Sequence, residues 1–79
     1  PFPDDVVSSA WDAAMGRCQC TRITHGHGVP CGKPLIWQMR GREGVGAWEA
    51  HHKVSVDAGG QDTLSNCEIL CWNCHSKTI

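Results

Sequence analysis

The sequence predicts a small α+β domain that begins and ends in a helix and is held together by more than a hydrophobic core. Three observations carry this. The chain has 79 residues, and one this short buries only roughly 60–65% of its unfolded surface. It carries six Cys and five His, a density that points to metal or disulfide staples. The apolar residues also change period along the chain, from helical spacing near the start to alternation in the middle.

The elements follow in order. Val6, Val7, Ala10, Trp11, Ala14 and Met15 recur at near-helical spacing, Asp4 or Asp5 can cap the helix, and Gly16 stops it. Residues 17–20 read as a short strand, and 21–30 as a loop rich in Gly and His. Cys31-Gly32-Lys33-Pro34 is a turn, 35–39 a strand, and 40–46 a flexible turn with three Gly. Residues 47–56 place β-type side chains at alternating positions. A second loop covers 57–61, Ile69-Leu70-Cys71 is a short apolar strand, and 72–79 reads as a helix. Residues 1–16 therefore form a helical segment ahead of a single domain over 17–79. The opening Pro1-Phe2-Pro3-Asp4-Asp5 looks like a cut point in a larger protein.

Seven Lys and Arg against eight Asp and Glu give a formal charge of −1. That balance argues against nucleic-acid binding by bulk electrostatics, so a ligand must be held by local charge or by a metal. No run of about 18 apolar residues is present, which excludes a membrane-spanning helix, and no signal-peptide pattern opens the chain.

Cys71-Trp72-Asn73-Cys74 is a C-x-x-C pair. Such a turn presents two thiolates to one ion about 2.3 Å away, and a second pair completes a tetrahedron. Upstream stand Cys18, Cys20 and Cys31. Cys71, Cys74 and Cys31 are the first three expected ligands of a structural zinc. Cys18 is preferred as the fourth, because it follows the helix closely. Cys20 remains the alternative, since both point to the same side of a strand. Cys67 is expected to be a small buried hydrophobe. The competing reading, a secreted disulfide-stapled domain, is disfavoured by the His that directly follows the C-x-x-C. Metal-bound, reduced cysteines imply a cytoplasmic location.

Glu49-Ala50-His51-His52-Lys53, then Leu64-Ser65-Asn66, then Cys71-Trp72-Asn73-Cys74-His75 supply, in order, His-His, Asn and His. Together with the Gly59-Gly60 loop, Asp62 ahead of the Asn, and the C-x-x-C-H ending, this constellation resembles the HNH endonuclease family over about residues 17–78. In particular it resembles the zinc-containing branch. The resemblance implies a ββα-metal, treble-clef-like motif with a structural zinc and a preceding N-terminal helix. It also implies metal-dependent hydrolysis of DNA phosphodiester bonds.

Carried over position by position, the resemblance makes His52 the general base. A neutral imidazole can take a proton from water at pH 7. Asn66 is expected to fix that ring by a hydrogen bond. His51 and His75 are expected to bind one divalent ion. Many family members have Asp where His51 stands, and a neutral imidazole pair widens the plausible metals to Mg²⁺, Mn²⁺, Ni²⁺, Co²⁺ or Zn²⁺. A register with Ala50 in the ligand place and His51 as base is also open, although it leaves the ion one ligand short. His25 and His27 read as loop residues, with DNA contact or a second metal as the lesser reading.

Arg40, Arg42, Lys53 and Lys77 are expected to touch DNA phosphates, and Trp11, Trp37, Trp48 and Trp72 to form core or rim. In this family the contacts are mainly to the DNA backbone, so sequence preference is expected from a fused recognition domain, as in modification-dependent restriction enzymes. The alternative function is a non-catalytic zinc module that binds nucleic acid or protein.

Overall fold

A computed structural model describes residues 1–78. It contains a helix α1 (Asp4–Ala14), strands β1 (Trp48–His52) and β2 (Cys67–Cys71), and a short helix α2 (Trp72–Ser76), linked by 3-10 turns. The strands pair antiparallel, Trp48 opposite Cys71 and His52 opposite Cys67. The ββα arrangement with a leading helix is thus the predicted fold. Among the described residues no helix is long and apolar enough to cross a membrane.

The helix α1 ends at Ala14, and the chain turns left-handed first at Met15 (φ 56°) and then at Gly16 (φ 66°), so the reversal begins one residue ahead of the expected glycine. Its buried stripe is Val7, Ala10 and Ala14. That stripe packs with Phe2, Trp48, Cys67 and Ile69 into one core cluster. On the opposite side of the sheet Leu70 joins Cys18, Cys20, Cys71 and Cys74 in a second cluster. Alternation along β2 explains the division up to Leu70: Cys67 and Ile69 face the helix and Leu70 the sulfur atoms, while Cys71, where the strand passes into α2, joins the sulfur cluster out of alternation. Burying Ile69 and Leu70 completely stabilises by about 1.5–3 kcal/mol each.

Several expected elements differ. Residues 17–20 form only an isolated bridge from Arg17 to Pro34. Residues 35–39 are not a strand; Trp37–Met39 is a 3-10 turn. The carbonyls of Ile36 and Trp37 accept from the buried Trp48 indole at 2.9 and 3.2 Å, which bends this segment around the ring. The strand expected over 47–56 stops at His52, because the Asn66 side chain takes over both backbone groups of Val54. The strand β2 begins earlier than expected, at Cys67. The last residue of the expected C-terminal helix, 79, lies outside the described residues, and α2 itself stops at Ser76. Trp48 is fully buried, while Trp37 and Trp72 keep 42% and 39% of their surface exposed and so occupy the rim.

Candidate metal centre and catalytic face

The C-x-x-C turn sits where β2 passes into α2. The Cys71 side chain caps α2 by accepting from the Cys74 backbone N–H at 3.4 Å. Cys18 accepts from the Cys71 N–H at 3.2 Å. Backbone bonds from Cys31 to Cys20 and from Gly32 to Cys18 fold the upstream loop back on itself. The result brings Cys18, Cys31, Cys71 and Cys74 together, with every sulfur within 4.8 Å of the others. None of the six cysteines forms a disulfide.

This donor set fits a zinc ion. Burial pushes the Cys18 thiol up to about 12 and also raises Cys74. Four thiolates gathered in a low-dielectric site repel one another, and a divalent cation is what lets them all ionise. Cys20 lies outside this quartet. It belongs to a second cluster with His25, His27 and Cys74, also within 4.8 Å of one another.

The histidines of β1 point to opposite faces of the sheet, as consecutive strand residues must. His51 lies opposite Glu68 and faces His75 from α2, with ring centroids 5.8 Å apart. Cys74 and His75 differ by about 100° around a helix, so α2 directs one side chain to the sulfur cluster and the other to β1. Burial lowers the His51 imidazole below its ordinary value, which keeps it neutral and able to donate a lone pair at pH 7. Two facing imidazoles offer nitrogen donors of the kind a divalent ion takes. Among the described residues no third Cys, His, Asp or Glu donor joins them within 4.8 Å.

His52 stacks on Phe2 at 3.9 Å between centroids, and its Nε2 meets Asp62 Oδ1 at 2.6 Å. That bond holds the Asp62 carboxyl below the usual carboxylate range. It also occupies Nε2, and among the described residues Nδ1 has no hydrogen-bond partner.

Asn66 differs from expectation. Its side chain is not bonded to His52. The Oδ1 atom accepts from Val54 N–H at 2.8 Å, and Nδ2 donates to Val54 O at 3.0 Å and Gln61 O at 2.9 Å. The amide imitates a strand partner and pins the loop that carries Asp62. The physical reason is stoichiometric: with three backbone partners the amide has no donor aimed at the ring. Gly60 belongs to the same device, since a Cβ there would stand 1.8 Å from Val54 O. Replacing Asn66 with Ala removes three part-buried hydrogen bonds to the backbone of Val54 and Gln61 and should cost about 2–3 kcal/mol. Chemical denaturation of the variant checks this, and an unchanged midpoint would show that the loop does not need the amide.

Of the expected phosphate contacts, Arg40 lies over the Trp48 ring at 5.8 Å and Arg42 is exposed on the following turn. Lys53 is exposed just beyond His52. Lys77 donates to the His25 carbonyl at 3.3 Å. Sequence reasoning gave no role to the pair Arg22–Glu68, joined at 3.0 Å with Glu68 nearly buried, nor to Asp62 as the partner of His52. The first spans 46 positions and leaves no local signal.

The HNH endonuclease family model matches residues 30–78, the stretch containing both strands, α2 and three members of the sulfur quartet. The chain is also similar to the type IV methyl-directed restriction enzyme EcoKMcrA of Escherichia coli (strain K12), at 40% identity over 73 residues. The match takes in 92% of this chain and 23% of that enzyme, so the chain spans under a quarter of the relative's length. With the ββα fold, the zinc-compatible sulfur cluster and this match together, the chain belongs to the HNH endonuclease family.

Proposed function

We propose that this chain is a metal-dependent DNA endonuclease module, the cleavage part of a larger restriction-type protein. The observation that carries the reading is the facing pair His51 and His75, with His52 next along the same strand and held at Nε2 by Asp62. In this reading His51 and His75 hold one divalent ion, which supplies positive charge at the scissile phosphate and the leaving oxygen. His52 takes a proton from the attacking water at Nδ1. Asp62 holds the ring in the tautomer that makes this possible, and Asn66 acts indirectly by fixing the loop on which Asp62 stands. Cys18, Cys31, Cys71 and Cys74 hold a structural zinc that joins the N-terminal half to α2. Arg40, Arg42, Lys53 and Lys77 contact backbone phosphates.

The Escherichia coli relative is methyl-directed, and by analogy a further domain of this protein would select modified DNA and deliver it to this module. The module itself would read little sequence, since phosphate contacts position a protein without specifying bases.

Supercoiled plasmid provides the test. At low ionic strength the chain should nick it in the presence of Mg²⁺, Mn²⁺, Ni²⁺ or Co²⁺ and stop on chelation. His51→Ala combined with His75→Ala should abolish nicking at unchanged zinc content. If wild-type protein cuts with no ion under any low-salt condition, the catalytic reading fails and a non-catalytic zinc module remains. Binding through four phosphate contacts should also weaken roughly 10²-fold between 50 and 200 mM salt, measurable by fluorescence anisotropy on a labelled duplex.

A further inference from the structure

The loop between the first two quartet cysteines has its burial inverted. Ile23 and Val29 keep 83% and 57% of their surface exposed, whereas Cys20 is fully buried and His25 is 9% exposed. Apolar side chains outside and histidine and cysteine inside reverse the ordinary order of burial, so the loop is not organised by hydrophobic packing. What lies inside is a set of soft donors. The Cys20 Sγ and His25 Nδ1 atoms are 3.3 Å apart, and Cys74 Sγ and His27 Nε2 are also 3.3 Å apart. All four donor atoms lie within 4.8 Å of one another. A tetrahedral zinc bound by sulfur at 2.3 Å and nitrogen at 2.0–2.1 Å needs sulfur–nitrogen edges of about 3.6 Å.

The surroundings also suit a ligand set. The Nδ1 atom of His27 is hydrogen-bonded to the Gly28 carbonyl. Metal-bound histidines are typically held in this way, with the far nitrogen on a carbonyl and the near one aimed at the ion. Gly26 stands between the two histidines in the left-handed region at φ 75°, where the chain reverses so that both rings can converge. Arg22 approaches Cys20 Sγ at 3.5 Å and stabilises a thiolate there.

We propose that Cys20, His25 and His27, with the thiolate of Cys74 as a bridge, hold a second zinc ion beside the first. This rests on the reading of Cys18, Cys31, Cys71 and Cys74 as a zinc site, because Cys74 is shared. A thiolate sulfur has lone pairs enough for two ions. The first ion then has four sulfur ligands, and the second has two sulfurs and two imidazoles. A mononuclear four-thiolate site carries two negative charges, whereas the five-thiolate pair carries one, so the second ion relieves charge in a buried position. Mechanically it clamps the loop over residues 21–30 to α2, the helix that presents His75.

Zinc per chain, measured by elemental analysis and native mass spectrometry after gel filtration, tests this. Wild type should hold two zinc ions, and Cys20→Ser and His27→Ala should each hold one. A single zinc that persists in Cys20→Ser and is lost in Cys31→Ser overturns the second ion and leaves the quartet site standing. A single zinc lost in Cys20→Ser but kept in Cys31→Ser overturns the pair and the quartet reading together, as does the absence of zinc. Should a variant fail to fold, cadmium-113 resonance of the wild-type chain decides alone. Two coupled signals support the bridged pair, and one signal excludes it.

Discussion

Replacing His52 with Ala should slow plasmid nicking by roughly 10²–10⁴-fold, the usual contribution of a positioned general base. The loss should appear in the chemical step, with DNA affinity at low salt unchanged within a factor of about 2, because His52 makes no charge contact that DNA binding requires. Its ring stacks on Phe2, so some stability is also lost, and thermal melting must accompany the rate measurement to keep the two effects apart. Asp62→Asn gives the internal comparison. It preserves shape and removes the carboxylate that holds Nε2, so a loss of about 10–100-fold is expected, as for other groups that orient a working histidine. The order of the two variants matters. If Asp62→Asn were the more damaging, Asp62 would itself be acting on the reacting atoms. If His52→Ala nicked at the wild-type rate, the general base would have to be another group.

How much of this was legible in sequence depends on how local each cause is. The strand carrying His51 and His52, the C-x-x-C turn and the first helix rest on period and spacing, and their side chains report their surroundings directly. The turn at Trp37–Met39 does not. Its residues favour a strand, and its shape follows from the Trp48 indole bonding two carbonyls eleven and twelve positions upstream. Asn66 was legible as a position but not as a role, because its partners are backbone groups of Val54 and Gln61, which look alike in every sequence. The Cys20, His25 and His27 cluster had a visible C-x₄-H-x-H spacing. The surrounding glycines and polar residues imitate an ordinary loop, and only the burial of the donors distinguishes it. Arg22 and Glu68 lay beyond reach, since surface charges of opposite sign are common and their meeting is a property of the fold.

Stripping the bound metal should unfold the chain. The hydrophobic cluster built on α1 holds only Phe2, Val7, Ala10, Ala14, Trp48, Cys67 and Ile69 as buried members, and two of these are alanines. The other half of the interior is chiefly sulfur, with Leu70 as its one large buried aliphatic. Those thiols have little to hold them once the cation is gone. Structural zinc in small domains contributes on the order of 10 kcal/mol, against a total stability of about 5–15 kcal/mol for an ordinary domain. Removal therefore exceeds what the α1 cluster can offset. Titration with a strong chelator, followed by far-ultraviolet circular dichroism, should show loss of helix and of the cooperative thermal transition, both restored by added zinc. Cys31→Ser should reproduce the loss, because it removes one corner of the quartet while leaving the apolar cluster intact. Cys67→Ala is the control: it deletes a buried sulfur on the other face of the sheet and should cost only about 1 kcal/mol, with metal content unchanged. A chelated chain that kept its transition would mean that α1 and the two strands suffice as a core, and the sulfur quartet would then have to be explained by something other than folding.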